Sequence, residues 1–594
     1  MKFLADLETF LRSKFANYPQ ESVLQLEPCP AGQEGDFTLN CFKISRYCGN
    51  PVAAAQSVVE FLSGHEDVIK VSAVKAFVNL TVKAESLYAV TACDMATLFE
   101  NAKLPENERK RVLIEFSAPN TNKPQHLGHV RNNTLGMALA SLFKRVGHDV
   151  IEVNLVNDRG IHICKSMLCY QKVGNGRNPE NTGIKGDHLV GDFYVEYNKM
   201  LSAEIAELKA ARPELADKSS DELFLETALG RETQNMLQKW EANDPAVREL
   251  WQMMNSWVFA GFAETYKRMG IDFDHTYLES ETYLLGKDII ADGLAKGVFT
   301  KREDGAVICD LGKMGKKVVL RSDGTSVYIT QDIGTTHRKY EDYKPQMMVW
   351  VVGDEQNLHF QMLFEIMKRL GFDWAKDLFH LSYGMVNLPN GRMKSREGTV
   401  VDADDLFDEM ASLAADACRE RGGDNLSEEE LKKRSEIIGL GALKFMLLKF
   451  NAKTTITFDP AASLKFEGDT GPYVQYVAAR ISSIERKAAE KGICVDRSNV
   501  NWGLLDSEYE KELAVKIYFY KNALQLAAER RDCSSLVEYL LDLAKAFNRF
   551  YRECPVLAAE NDSLVVARLA LAAAVKEVLA DGLKTLTIGV PEAM

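Results

Sequence analysis

The eleven cysteines of this chain include no CxxC pair and are scattered and odd in number. That argues against a disulfide framework and against a zinc ribbon, and it points to a reducing compartment, the cytoplasm. No uninterrupted apolar run approaches membrane-spanning length: even LVVARLALAAAVKEVLA near the end carries Arg568, Lys576 and Glu577, so a soluble protein without a membrane partner is expected. The opening MKFLADLETFLRSKF offers no secretory or targeting helix, because Asp6, Glu8, Arg12 and Lys14 interrupt each apolar run. There is no GxxxxGK[ST] and no GxGxxG, which removes the P-loop and the dinucleotide fingerprint. Internal repeats and low-complexity tracts are missing too. Positive charge is in deficit, with 72 Lys and Arg against 85 Asp and Glu; this speaks mildly against a nucleic-acid partner unless basic residues gather on one face.

What is present is globular: 594 residues, 46% hydrophobic and 26% charged, enough for three or four domains with their own cores. Residues 1 to about 100 mix an amphipathic opening helix with strand-like runs such as VIKVSAVKAFVNLTV (68–82), which suggests a small α+β module. The polar NAKLPENERK reads as a linker. RVLIEF (111–116) then suits a strand covered on both faces. In LGHVRNNTLGMALASLFKRVG apolar residues recur at three- and four-residue intervals up to Gly147, which predicts a helix, and HDVIEVNLVND is a further strand. Strand, helix, strand in so short a span is a βαβ unit, hence a doubly wound α/β domain.

Between that first strand and helix stands FSAPNTNKPQHLGHVRNN, with His126 and His129 around Gly128. A helix start presents unpaired N–H groups and the positive end of the macrodipole, which favour an anion. Two imidazoles three apart share a face and can donate to phosphate oxygens, and Gly128 leaves the backbone open to a flat ligand. Two histidines there can also simply cap and solvate the helix. A zinc site is less fitting, since the metalloprotease spacing is HExxH and no third ligand is evident.

The HLGH after SAPNTNKP, followed by VNDRG (156–160), resembles the HIGH signature of class I aminoacyl-tRNA synthetases, and the surroundings resemble the arginyl-tRNA synthetases most. KGDHLVGDFYV, SDGTSVYITQDIG, VVGDEQNLHFQMLFEIMKRLGF, RMKSREGTVVDADDL, EGDTGPYVQYVAARI and LAKAFNRFYRECPVL follow in order, and the resemblance runs from about residue 30 to the end. It implies a two-step ligase: L-arginine attacks the α-phosphate of ATP, taken as its Mg2+ complex, and the 3′ end of tRNA(Arg) then takes the arginyl group. His126 and His129 fit the donors that charge at the phosphorus requires. VGDEQNLH resembles the element that holds adenosine, with Gly353 and His359. Arginine's guanidinium calls for acids and acceptors. Tyr328 and Asp332, four apart in VYITQD, share a face if that segment is helical, Glu279 in YLESETY resembles the family's second acid, and Asn120 and Gln356 match positions holding the ammonium and carboxylate end. Without the family, Asp332 reads as a helix-start cap.

One departure is plain. Class I enzymes usually carry KMSKS; here the five are Arg392, Met393, Lys394, Ser395 and Arg396, so the lysine expected to meet the phosphates is Ser395. Arg392, Lys394 and Arg396 keep the loop basic, and Lys123, just upstream of HLGH, matches the lysine that compensates in some relatives. From about 405 the pattern is nearly all helical, fitting the family's anticodon-binding bundle. There Asp469 or Thr470 caps a helix that sets Tyr473, Tyr476 and Arg480 on one face, a stacking platform for splayed bases or else an interhelical packing face. The resemblance also brings the C-terminal Met594 near the anticodon, and Phe77 and Asn79 in KAFVNL to the tRNA elbow, though Phe77 could equally be core.

The expectation is therefore a multidomain α/β enzyme. A Rossmann-type doubly wound catalytic domain (106–405, with a helical insertion at about 165–260) stands between a small N-terminal α+β tRNA-contacting module (1–105) and a C-terminal all-α anticodon-binding domain (406–594). A monomer without a protein-bound metal is expected. A synthetase for cysteine lacks support, as no zinc-ligand cluster is evident; a plain nucleotidyltransferase would not need the C-terminal helices; a silent RNA-binding paralogue would not need His126, Gly128, His129 and Lys123.

Overall fold

The computed structural model describes residues 1–30, 32–389, 401–421 and 426–594. The chain divides into two compact units, one of Met1–Leu104, Lys465–Arg530 and Ser535–Met594, the other of Pro105–Leu464 with Arg531–Ser534. Among the described residues no helix is long and apolar enough to cross a membrane.

In the first unit, β1 (Leu26–Pro28), β2 (Phe37–Asn40), β3 (Val68–Val74) and β4 (Phe77–Val82) form an antiparallel sheet of order β1-β2-β4-β3. The run 68–82 is thus a hairpin, turned at Lys75, whose φ is +58°. Phe37, Thr38 and Leu39 of β2 are buried whichever face they point to, so the sheet needs cover on both sides. The helix Pro51–Leu62 supplies one cover. C-terminal aromatics supply more: the Phe37 ring lies 5.1 Å from Tyr518 and 5.9 Å from Phe519, and Tyr88 stacks on Trp502 at 5.5 Å. Residues 1–104 therefore share a core with the C-terminal helices instead of forming a free-standing module.

The second unit is built on β5 (Arg111–Glu115), β6 (Asp149–Val156), β7 (His275–Leu278), β11 (Met347–Gly353) and β12 (Leu378–Tyr383), in the order β12-β11-β5-β6-β7 and parallel throughout. A smaller antiparallel sheet, β8 (Thr300–Lys301), β9 (Val307–Asp310) and β10 (Lys316–Leu320), lies between β7 and β11 in sequence. Val112, Leu113 and Ile114 of β5 are fully buried, as RVLIEF predicts. The helix Leu127–Arg145 crosses from β5 to β6, and its Gly136 has no room for a Cβ, which would stand 2.5 Å from that of Phe116. From β5 the sheet grows through β6 and β7 on one side and through β11 and β12 on the other. The strand order reverses between β5 and β11, and the crevice outside the carboxyl ends at such a reversal is where doubly wound sheets take ligands.

Between β6 and β7 runs the expected helical insertion, with Ile161–Val173, Gly186–Ala211, Ala228–Glu241 and Pro245–Met269 around a core that includes Phe193, Tyr197 and Trp240. The boundary expected at 405/406 falls inside this unit. Helices Ala403–Glu420 and Glu428–Leu448 pack on each other and on Leu127–Arg145, and β13 (Val386–Asn387) pairs in parallel with β14 (Ile456–Thr457). Periodicity marks which face of a helix is buried, not against what, so the helical pattern after 405 does not separate the two units.

Candidate active site

At the β5/β11 reversal lies a cavity of about 370 Å³ that includes Ser117, His126, Gly128, His129, Asn132 and Gly353 in its wall. His126 is the N-cap of the helix that follows β5. Its Nδ1 accepts the Gly128 N–H at 3.1 Å, and His129 Nδ1 accepts the His126 N–H at 3.2 Å. With each Nδ1 engaged as an acceptor, a neutral ring carries its proton on Nε2, a donor that bonds to no described residue. Burial keeps the rings neutral, lowering His126 to about 4 and His129 well below its ordinary value, with the charge of Lys123 acting in the same direction on both. Capping and phosphate donation are thus not alternatives here: one nitrogen of each ring caps, the other is available. Gly128 serves the cap as well, since a Cβ there would lie 2.9 Å from His126 Cε1.

The floor of the crevice is strained and polar. Ser117 and Ala118, directly after β5, both have positive φ, 77° and 47°, at a cost of order 1–3 kcal/mol each. Two buried amides hold them: Asn132 Oδ1 accepts Ser117 N–H at 2.6 Å and Asn154 Oδ1 accepts Ala118 N–H at 3.0 Å. Asn132 Nδ2 also donates to Val351 O of β11 at 2.7 Å, so one side chain spans the strand reversal. Arg131, buried beside it, donates to Ala452 O and Thr454 O. Sequence reading missed both residues. The signal was the polar run RNNT in the first turns of a helix whose next residues, LGMALASLF, are mostly apolar.

Lys123 is half-buried, its ammonium lowered by that burial, and it forms no hydrogen bond or ion pair with the described residues. It shares a cavity of about 160 Å³ with His126, His188 and Asp402. The backbone there is tied: Leu127 donates to Val401 O at 3.1 Å and Ala403 to Gln125 O at 2.9 Å. Behind it Asp404 accepts from Lys185 Nζ at 2.6 Å and faces His188 Nε2 at 3.2 Å. Burial works against the Asp404 charge, but these bonds hold its carboxyl down at about 2, and the same bond raises His188. Asp187, His188 and Asp404 have the spacing of a metal site; the Lys185 ammonium already stands among them, 3.3 Å from Asp187. Arg392, Lys394, Ser395 and Arg396 lie outside the described residues.

The residues expected around arginine come from three elements. Tyr328 and Asp332 are helical, in Tyr328–Tyr343, whose N-cap is Val327. Asp332 is therefore not a cap: its Oδ2 meets His359 Nε2 at 2.5 Å, which joins a residue assigned to adenosine to one assigned to arginine. Tyr328 is 77% exposed. Glu279 opens the short helix Glu279–Thr282 after β7. Burial pushes its carboxyl up to about 7, with Arg159 opposing and Asp158 and Asp332 adding to the rise. Asn120 forms an isolated bridge with Asn157 beyond the end of β6, and Gln356 is exposed just after Gly353.

In the other unit, Thr470 is the cap of Gly471–Glu490, accepting from Tyr473 N. Arg480 lies 4.6 Å over the Tyr476 ring and donates to its hydroxyl at 3.0 Å; Asn548 joins Arg480 to Tyr473. All three expected residues are part-exposed, and Tyr551, 40% exposed with Arg480 5.3 Å from its ring, extends the patch. Met594 belongs to the same unit. Asn79 is not on the surface: it is 3% exposed and its amide is engaged by Gln33 Oε1 at 2.7 Å. Phe77 is partly exposed and packs edge-on against Phe42, itself 57% exposed.

Comparison with known proteins accords with this geometry. Residues 95–459 match the family model of tRNA synthetases class I (R), catalytic domain, and residues 474–594 match the DALR anticodon binding domain. An arginine–tRNA ligase of Bacteroides thetaiotaomicron is 46% identical over 603 aligned positions, covering 100% of this chain and 99% of its own. One from Porphyromonas gingivalis is 43% identical, covering 98% of each. Among solved structures, the arginyl-tRNA synthetase of Thermus thermophilus shares the fold, with a TM-score of 0.75 at 24% identity over 100% of this chain and 99% of its own. The chain belongs to the arginyl-tRNA synthetases of class I.

Proposed function

We propose that this chain is an arginine–tRNA ligase in which the β5/β11 crevice activates L-arginine with ATP and the other unit holds tRNA(Arg). In the first step an arginine carboxylate oxygen bonds to the α-phosphorus of ATP, taken as its Mg2+ complex, while the bond to pyrophosphate breaks. In the second a terminal ribose hydroxyl of the tRNA takes the arginyl group and AMP leaves. Nε2–H of His126 and His129 donates to phosphate oxygens as charge develops, with Lys123 as the nearby cation and Gly128 and Gly353 leaving space for ATP. Arg392, Lys394 and Arg396 add positive charge toward the phosphates. Asp332 and Glu279 take the guanidinium, Tyr328 lies beside Asp332, and Asn120 and Gln356 hold the ammonium and carboxylate end. Tyr473, Tyr476 and Arg480, with Met594 and Phe77, bind tRNA, and the enzyme works as a cytoplasmic monomer.

The observation that carries this reading is the pair of acids Glu279 and Asp332, near enough for the charge of Asp332 to act on Glu279, in the unit that holds the histidine crevice. Asn120 bridges to Asn157, and Asp158 holds Ser280 beside Glu279; Asn120 lies two residues after Ala118, which lines the histidine crevice, and this supports reading them as parts of one site. Asp332→Asn is expected to raise the arginine KM about tenfold or more, since a charge-assisted bond is worth about 1.5–3 kcal/mol. The KM for ATP should stay put. An arginine KM equal to wild type overturns the assignment.

The charge on Glu279 gives a second expected result. Its carboxyl titrates at about 7, and only the ionised form pairs with a guanidinium, which stays protonated throughout. Arginine affinity is therefore present above about 7 and lost as pH falls through that value. Arginine KM measured across about one pH unit on either side should rise on the acid side in wild type and stay flat in Glu279→Gln. A flat profile in wild type contradicts it.

A further inference from the structure

Beyond β6 the chain continues as Asn157, Asp158 and Arg159. Asp158 is fully buried, yet no cation among the described residues pairs with its carboxylate. Oδ1 accepts the Ser280 N–H at 2.8 Å and Oδ2 the Ser280 hydroxyl at 2.6 Å. Its carbonyl accepts from Trp251 Nε1 at 2.6 Å and Asn255 Nδ2 at 3.2 Å, both on Pro245–Met269, so Asp158 is itself fixed. Burying a carboxylate is costly, and both oxygens here are committed to a single residue.

That residue is the immediate neighbour of Glu279. The helix Glu279–Thr282 has four residues and follows β7, the edge strand of the sheet; a helix so short does not hold itself. Its far end is gripped as well. The Arg159 guanidinium lies 3.9 Å from the centre of the Tyr283 ring and 5.0 Å from that of Trp240, and pairs with Glu241 at 2.7 Å. Consecutive residues at the end of a central strand thus clamp both ends of the turn that carries Glu279, Asp158 on Ser280 and Arg159 on Tyr283.

We infer that Asp158 and Arg159 are positioning residues for arginine selection: the clamp on Ser280 and Tyr283 aims the Glu279 carboxylate at the substrate guanidinium. This rests on the reading of Glu279 as an arginine ligand. The clamp touches no substrate, so its loss acts on ground-state binding of arginine and leaves the phosphate chemistry alone. Binding lost equally in ground and transition states appears in KM.

Full-length Ser280→Ala keeps Asp158 and the backbone bond but loses the hydroxyl bond. It is expected to raise arginine KM several-fold, up to about tenfold, with kcat and ATP KM little changed, while Tm falls because Asp158 Oδ2 is left buried without its partner. Ser280→Thr, which keeps the hydroxyl, should return arginine KM toward wild type. Glu279→Gln is measured beside them. If Glu279→Gln raises arginine KM and Ser280→Ala does not, the clamp is overturned while Glu279 stands. If neither changes it, both fall. If Ser280→Ala shifts ATP and arginine constants together, the contact serves folding alone and the inference is overturned.

Discussion

In a His129→Ala enzyme, arginine-dependent ATP–pyrophosphate exchange, assayed with tRNA present, is expected to slow by roughly 10²- to 10³-fold, with a much smaller change in ATP KM. The ring does two jobs through different atoms. Nδ1 holds the His126 N–H, and His126 in turn holds Gly128, so His129 fixes the neighbour whose ring centre is 4.0 Å away. Nε2–H is left for the phosphate. Alanine removes a donor and loosens a second one, whereas His129→Asn keeps an acceptor for the His126 N–H and should lose less. Protonation is no substitute for the neutral state, because a cationic ring must give up its Nδ1 contact. With His126 lowered from 6.5 to about 4, the unfolded chain binds more protons than the folded one between those values. Stability from the neutral ring is therefore full above about 6.5 and is lost as pH falls toward 4. A His129→Ala enzyme that exchanges at wild-type rate would remove the histidines from the chemistry.

Lys123→Ala is expected to lower kcat by a similar roughly 10²- to 10³-fold, and to do so more than it raises ATP KM. The family's usual phosphate lysine is replaced by Ser395, while Lys123 is three residues from His126, half-buried, and close enough for its charge to act on both histidines. It bonds to no described residue, so no acid among the described residues pairs with its charge. That charge gains most where pyrophosphate departs. Ser395→Lys in the Lys123→Ala background should partly restore kcat, because a cation would again be available. Near wild-type charging by Lys123→Ala would instead leave Lys394, Arg392 or Arg396 as the cation.

The layout of the candidate site was legible where it depends on local pattern. RVLIEF and the periodic stretch after HLGH fix β5 and its helix, because burial on both faces and a three-to-four spacing are written in consecutive residues. The position of the histidines at the cap follows from the same boundary. What could not be read is what meets across distance. Asp332 and His359 are 27 residues apart in sequence yet form one contact, and Asn132 reaches Val351 across 219. Asn79 fits a surface role in the string KAFVNL, but Gln33, from a loop 46 residues earlier, covers its amide. The N-terminal strands carry no mark that their second face is closed by Tyr518 and Phe519. The polar run of Arg131, Asn132 and Asn133 was visible as an anomaly, although its partners were not.

Charging of bulk tRNA with each of the twenty amino acids in turn tests the central assignment most directly. Arginine alone should form aminoacyl-tRNA, because the pair Glu279 and Asp332 suits the planar, five-donor fork of a guanidinium, which neither a neutral side chain nor the point charge of a lysine ammonium reproduces, and Glu279→Gln should weaken that charging. Equal charging with another amino acid, or none with arginine in the presence of ATP and Mg2+, would contradict it.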